Sequence, residues 1–130
     1  MLFRSIAVLT NGSVMTIGDN SKGQCGTGNN FSHYDMWKDT GIKAFDIASG
    51  ANHSAAISPD GHLVVTGDNT HGQLGIPLST KNTKVWYATG VYAKSVTCEK
   101  LVTQAILNDG KILRSHSVSN TPNGATWYYA

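Results

Sequence analysis

The chain has 130 residues, enough for one modest domain with a small core and too few for a large multi-domain enzyme. Charged residues make up only 14% and the net charge is +2, so the composition fits neither a disordered chain nor a basic nucleic-acid-binding arm. The sequence is also too polar for a membrane span. Abundant Gly, Thr, Ser and Asn are typical of a β-protein with many turns.

The first residues hold a short apolar stretch interrupted by Ser5, without the apolar core and cleavage site of a secretory signal. We therefore expect no export signal. Cys25 and Cys98 share no spacing that suits a zinc site, and we expect both to be free, buried thiols.

Three β-hairpins are predicted along the chain. Each joins two short apolar strands through an Asn-Gly or Asp-Gly pair: 6–9 and 13–17, 55–57 and 62–66, and 105–107 and 111–113. Such pairs favour type I′ turns, in which both central residues have positive φ. The turn glycines Gly12, Gly61 and Gly110 are 49 residues apart, which indicates an internal repeat.

Further strands complete each repeat. A strand around a tryptophan follows each hairpin, at 36–39, 85–88 and 126–129, and another precedes the second and third hairpins, at 42–48 and 91–97. These strands define one domain of three repeats, 1–41, 42–90 and 91–130, with four strands each except that the first repeat lacks its first strand. Trp37, Trp86 and Trp127 recur at equivalent sites, which favours packing between repeats over a ligand-stacking ring.

A glycine-rich segment follows the second strand of each hairpin. Residues 18–26 (GDNSKGQCG) match residues 67–75 (GDNTHGQLG), and a degenerate third copy ends at Gly124. We expect the first glycine to permit close backbone approach or a bent strand, the Asn to bond nearby backbone, and the later glycines to adopt positive φ in a tight loop. Residues 26–28 lack the third glycine and the helix of a dinucleotide fingerprint.

The second repeat combines residues 53–57 (HSAAI), Asp60-Gly61 and the GDNTHGQLG segment. This combination resembles the repeat of the regulator of chromosome condensation family, whose members are similar to seven-bladed β-propellers. The chain departs from the family pattern where Ile17, Thr66 and Ser115 replace a tryptophan and where Arg4 and Val102 replace a histidine. The positions that carry the repeat pattern are Gly12, Gly18, Asn20, Gly23, Gly26, His53, Gly61, Gly67, Asn69, Gly72, Gln73, Gly75 and Gly110.

This resemblance implies an all-β fold of propeller-like, four-stranded blades that form an incomplete ring. The sequence predicts no active site. The histidines lack metal-ligand spacing, Asp60 and Asp109 belong to turns, and Ser54 lies in no nucleophile elbow. We therefore predict no enzyme activity, no metal and no cofactor.

An incomplete propeller leaves blade edges bare, so we expect the chain to self-associate or to assemble with other structural subunits. Two copies would give about six blades, within the usual range of 4–8. The loops 27–35 and 76–84 are the predicted contact surfaces for protein partners rather than for nucleic acid or membrane. Their candidate contact residues are Asn29, Asn30, His33, Tyr34, Ser79, Lys81 and Asn82.

Three functional hypotheses follow. The composition resembles β-rich viral appendage and capsid-decorating proteins, which favours a self-assembling structural module in a virion. The family resemblance implies instead a regulatory binding protein in the cytoplasm or on chromatin, such as an exchange factor for a small GTPase. The third hypothesis is one piece of a split propeller that another chain completes.

Overall fold

A computed structural model describes residues 4–77, 80–115 and 127–130. These residues form eleven β-strands and no helix. The strands are β1 (Arg4–Val8), β2 (Ser13–Asp19), β3 (His33–Lys43), β4 (Asp46–Ser49), β5 (His53–Ile57), β6 (His62–Asp68), β7 (Asn82–Tyr92), β8 (Ser95–Glu99), β9 (Val102–Ile106), β10 (Ile112–Ser115) and β11 (Trp127–Tyr129). None of the described segments is a helix long and apolar enough to cross a bilayer.

The strands form three antiparallel sheets, in which neighbours along the chain are neighbours in the sheet. Blade one is β1-β2-β3, blade two is β4-β5-β6-β7, and blade three is β8-β9-β10-β11. Strand β4 packs beside both β1 and β8, so the inner strands of adjacent blades lie together. The predicted four-stranded blades are confirmed for blades two and three, blade one has three described strands, and the described blades do not close a ring.

Two predicted strands are wrong in their limits. The segments 42–48 and 91–97 each span the end of one blade and the start of the next, because β3 continues to Lys43 and β7 continues to Tyr92. Both strands pass through a glycine of positive φ, Gly41 or Gly90 (φ 83° in each). The predicted repeat boundaries after residues 41 and 90 therefore lie inside β3 and β7.

The hairpin turns also differ from the predicted type I′. The Gly12 amide donates to the Leu9 carbonyl (2.8 Å) and the Leu9 amide to the Ser13 carbonyl (2.9 Å), which defines a three-residue loop. Only Gly12, at φ 90°, has positive φ there, since no described residue other than glycine does. The same bonds recur in the second and third hairpins. A type I turn followed by a left-handed glycine needs one residue with positive φ rather than two, and it accommodates Pro59 at its first central position.

Two hydrophobic clusters fill the spaces between blades. Blades one and two share a small cluster centred on Val14, Ala44 and Ala56. Blades two and three share a larger one, whose fully or nearly buried members are Ala55, Ile57, Leu63, Val65, Leu74, Ile76, Ala93, Val96 and Ala105. The core therefore lies between the sheets, as blade-on-blade packing requires. Cys25 is buried and Cys98 is only half-buried, so the predicted burial of Cys98 is too high.

Candidate interaction surface

The glycine-rich segment of blade one forms a compact loop, residues 20–26, that its own side chains hold together. The Asn20 Oδ1 accepts from the Cys25 amide (3.0 Å), and its Nδ2 donates to the Phe31 carbonyl (2.8 Å). The Gln24 Oε1 accepts from the Lys22 amide (2.7 Å), and its Nε2 donates to Asp19 Oδ2 (3.3 Å). These polar groups are used inside the loop, which makes it a scaffold rather than a phosphate cradle.

The equivalent loop of blade two, residues 69–75, repeats this arrangement. The Asn69 Oδ1 accepts from the Leu74 amide (3.1 Å), while its Nδ2 donates to carbonyls that include that of Thr80 (2.9 Å). Gln73 bonds the His71 amide (2.8 Å) and Asp68 Oδ2 (3.2 Å). Two loops with the same internal bonds therefore project from successive blades.

Each loop carries a tryptophan of the next blade. A β-carbon built on Gly26 would overlap the indole ring of Trp86, and one built on Gly75 would overlap the indole ring of Trp127. The predicted packing between repeats is thus present for Trp86 and Trp127, which lie in separate junctions rather than in a common ring. We call these contacts junction one (blades one and two) and junction two (blades two and three).

Hydroxyl groups reinforce both junctions. In junction one, Ser54 Oγ donates to the Gln24 carbonyl (2.8 Å) and Thr66 Oγ1 donates to the Gly23 carbonyl (2.8 Å). In junction two, Thr103 Oγ1 and Ser115 Oγ donate to the Gln73 carbonyl (2.6 and 3.1 Å). All four donors are buried. Sequence reasoning missed them, although a hydroxyl residue recurs at a spacing of 49 in both cases.

Blade one has a corresponding face that no described loop covers. Ser5 occupies the position of Ser54 and Thr103, Ile17 that of Thr66 and Ser115, and Trp37 that of Trp86. Ser5 is exposed and Trp37 is 47% exposed, whereas Trp86 and Trp127 are half-buried. We call Ser5, Ile17 and Trp37 the open face. It keeps the junction's tryptophan and one of its two hydroxyls.

A polar cleft of about 450 Å³ lies where the first loop meets the start of β7. Asn29, Asn30 and Asn82, three of the predicted contact residues, line it. Lys84 closes one side, because its Nζ donates to Asn30 Oδ1 (3.0 Å) and its carbonyl accepts from the Gly28 amide (2.9 Å). The structure thus brings residues of both predicted contact loops together at one end of junction one.

The remaining predicted contact residues do not share one environment. His33 is exposed, and its Nε2 lies 3.4 Å from Asp35 Oδ1. Lys81 is exposed and immediately precedes β7. Tyr34, another predicted contact residue, is only 7% exposed, and its hydroxyl bonds Thr27 (2.6 Å) and Asn29. Its phenol ties the loop to β3. Ser79 lies outside the described residues.

Two residues of the repeat pattern, His53 and Gly67, lie where the chain is tightly packed. His53 is fully buried against Gly50, where a β-carbon would overlap its ring. At Gly67, where φ is 116°, a β-carbon would overlap the Asn52 carbonyl, so this position needs glycine. Within 4–77, 80–115 and 127–130, no three His, Cys, Asp or Glu side chains gather as a metal site would require.

The fold and the junctions define a class of protein: a β-propeller unit of repeated blades, each joined to the next by a glycine loop and a tryptophan. Residues 46–73 match the model of the regulator of chromosome condensation (RCC1) repeat. No curated protein sequence matches the chain.

Solved structures share the fold. Yeast RCC1 (Prp20), solved bound to Kap60, is 20% identical with a TM-score of 0.77, over 87% of this chain and 30% of that one. Prp20p from Saccharomyces cerevisiae, described with its binding to Gsp1p and histones, gives the same identity and TM-score over 87% and 31%. Human WBSCR16 is 20% identical with a TM-score of 0.75, over 98% and 37%.

Residues 46–73 therefore match the regulator of chromosome condensation repeat, as the sequence resemblance predicts, and the described chain shares its fold with these solved propellers. It spans about a third of the length of these solved propellers.

Proposed function

We propose that the chain is a non-catalytic interaction module that completes its propeller by self-association. In this assembly, blade three of one copy packs on the open face of another. The observation that carries the proposal is Trp37: it occupies the junction position on β3 and is 47% exposed, while Trp86 and Trp127 each lie on a glycine of the preceding blade. An exposed tryptophan at a site built for close packing favours a protein partner.

The geometry favours a closed pair of chains. The junctions are directional, since a loop of one blade always meets the tryptophan face of the next. A head-to-tail contact of this kind forms rings when the rotation closes. Two copies would give about six blades, within the 4–8 found in propellers.

Light scattering coupled to size-exclusion chromatography tests this proposal. The wild-type chain should elute as a particle of about twice 13.9 kDa. Trp37→Ala should shift it to the monomer mass with an unchanged far-UV circular dichroism spectrum. Met36→Ala is the matched control, because Met36 is the adjacent residue of β3 and is 71% exposed. A wild-type chain that stays monomeric at all accessible concentrations would overturn the proposal.

The solved propellers supply a second candidate: a regulatory module that binds a small GTPase or chromatin proteins. It is supported by the shared fold and by the described binding of Prp20p to Gsp1p and histones. The test is release of a fluorescent nucleotide from Gsp1p with and without a molar excess of the chain. Unchanged release, together with no retention of Gsp1p or histones on immobilised chain, would contradict this candidate.

A third candidate keeps the open ring and assigns its completion to a different chain. Co-purification of a second repeat-bearing polypeptide from the native source, in place of a self-associated particle, would support it. The virion role predicted from composition gains no support from the fold or from the solved relatives.

A further inference from the structure

The inner edge of blade one differs from the inner edges of blades two and three. Strand β5 pairs with β4 on one side and β6 on the other, and β9 pairs likewise with β8 and β10. Strand β1 pairs with β2 only, and no described strand lies on its other side. An unpaired strand edge presents a row of amide and carbonyl groups to which another strand can bond.

Exposure of the equivalent residues shows what the missing strand leaves uncovered. Val8 occupies the position of Ile57 in the 49-residue repeat; Val8 is 38% exposed and Ile57 is fully buried. The carbonyl of Ile57 accepts from the Phe45 amide (3.0 Å), and that of Ile106 accepts from the Lys94 amide (2.8 Å). These two bonds occur where β4 and β8 begin, and no described strand occupies the corresponding place in blade one.

Strands β4 and β8 show which sequence fits this edge. β4 reads DIAS and pairs antiparallel with β5, so that Asp46 lies opposite Ile57 and Ile47 opposite Ala56. In β8 the residue at the place of Ile47 is Val96, which is 4% exposed and belongs to the core between blades two and three. The edge therefore accepts a short strand with an aliphatic residue second and small residues after it.

Asp46 adds an electrostatic preference at the start of the strand. Its Oδ2 accepts from the Val96 amide of blade three (2.9 Å), and its Oδ1 accepts from the Ile47 amide of its own strand (3.1 Å). The carboxylate thus links neighbouring inner strands. Because Ile47 is the residue of blade two equivalent to Val96, a strand added to β1 would place its first residue near the Ile47 amide. An acidic residue suits that position.

We propose that the free edge of β1 binds an extended segment of a partner protein by β-augmentation. The segment runs antiparallel to β1 and has the pattern acidic, aliphatic, small, small. Its aliphatic residue lies opposite Ala7 and its acidic residue opposite Val8. Main-chain bonds to β1 supply affinity, and the pockets for alternate side chains supply specificity. This binding is separate from self-association, because a closed pair of chains would still have two such free edges.

The test uses the full chain and a synthetic peptide copied from residues 44–50, AFDIASG, with an N-terminal fluorophore. We expect saturable binding by fluorescence anisotropy, together with slower hydrogen exchange of the β1 amides in the complex. Replacing the alanine that follows the peptide's isoleucine with proline removes a main-chain donor directed at β1, because Ala48 lies opposite Ala55 in a hydrogen-bonded pair, and should weaken binding at least about 10-fold. Replacing its aspartate with asparagine should weaken it about 3–10-fold.

Three outcomes would overturn the proposal. The first is no binding of the peptide at millimolar concentration. The second is protection of β3, the opposite edge of blade one, instead of β1. The third is protection of β1 that rises with protein concentration in the Trp37→Ala variant without peptide, which would assign the edge to a second copy of the chain independently of the open face. None of these outcomes depends on whether Trp37→Ala changes the oligomeric state, so the two proposals can fail separately.

Discussion

Trp86 of blade two lies directly on Gly26 of blade one, so that a β-carbon at Gly26 would overlap the indole ring. Trp127 and Gly75 repeat this relationship one blade further along. Because glycine has no side chain, the indole ring can pack directly against the loop backbone, and the ring in turn covers the loop. This pairing makes the stacking of blades directional and leaves Trp37 as the unpaired member of the series.

Gly26→Ala is expected to destabilise the chain by about 2–5 kcal/mol. The new methyl group collides with the Trp86 ring, an overpacking cost of about 1–3 kcal/mol, and alanine at φ 65° adds about 1–2 kcal/mol. The free energy of unfolding, measured by urea titration under conditions where the chain is one species, checks this. Gly41→Ala is the matched control: its φ is 83° but no atom lies within 4 Å of the added carbon. Equal losses in both variants would show that the indole contact is not the cause.

Thr66→Val should cost about 1–3 kcal/mol, because it removes two hydrogen bonds worth about 0.5–1.5 kcal/mol each. Thr66 Oγ1 donates to the Gly23 carbonyl across junction one (2.8 Å) and bonds the Thr83 carbonyl (3.0 Å). Thr97→Val makes the same isosteric change at an exposed site of β8 and should alter stability by no more than about 0.5 kcal/mol. Thermal unfolding of the two variants separates them, and a loss at residue 97 as large as at residue 66 would contradict the assignment.

Much of the fold could be predicted because the information repeats. A spacing of 49 residues between Gly12, Gly61 and Gly110 turned three weak hairpin signals into one strong signal for blades. The packing of tryptophans between repeats could be predicted for the same reason, because they recur at equivalent positions. Any feature that recurs at the repeat spacing is constrained by the same packing in each blade, so its role is accessible without coordinates.

The junction hydroxyls and the turn type could not be predicted so well. Ser54 and Thr66 bond carbonyls about 30 and 43 residues away in sequence, a separation that no local pattern encodes. Asn11-Gly12 fits both a two-residue and a three-residue loop, and the pairing of the strands decides between them. Tyr34 lies in the predicted contact loop 27–35, but Thr27 and Asn29 bind its hydroxyl inside the loop, a contact that no local pattern encodes.

Thr10→Pro is expected to stabilise the chain by about 0.4–1 kcal/mol through the unfolded state. Thr10 occupies the place of Pro59 in an equivalent turn, and its amide makes no backbone bond among the described residues. The control is Asn11→Pro, since proline is disfavoured at the second central position of a type I turn and Asn11 Oδ1 accepts from the Ser13 amide (2.9 Å). Urea unfolding should rank Thr10→Pro above and Asn11→Pro below the wild type, and the reverse order would reject the three-residue loop.

Ile17→Thr tests the open face by adding the second junction hydroxyl, which this face lacks. The junctions place a hydroxyl at this position, on Thr66 and Ser115, and both donate to a carbonyl of the preceding loop. If the open face receives the third-repeat loop of another copy, the new hydroxyl should bond a carbonyl there and lower the dissociation constant about 2–10-fold, the equivalent of about 0.5–1.5 kcal/mol. Ile17→Val has the shape of the threonine variant without its hydroxyl, so it reports the effect of lost apolar surface alone. Sedimentation velocity over a dilution series gives both constants. A threonine variant that associates no more tightly than the valine variant would mean that the partner of the open face does not present the loop carbonyl found in the two internal junctions.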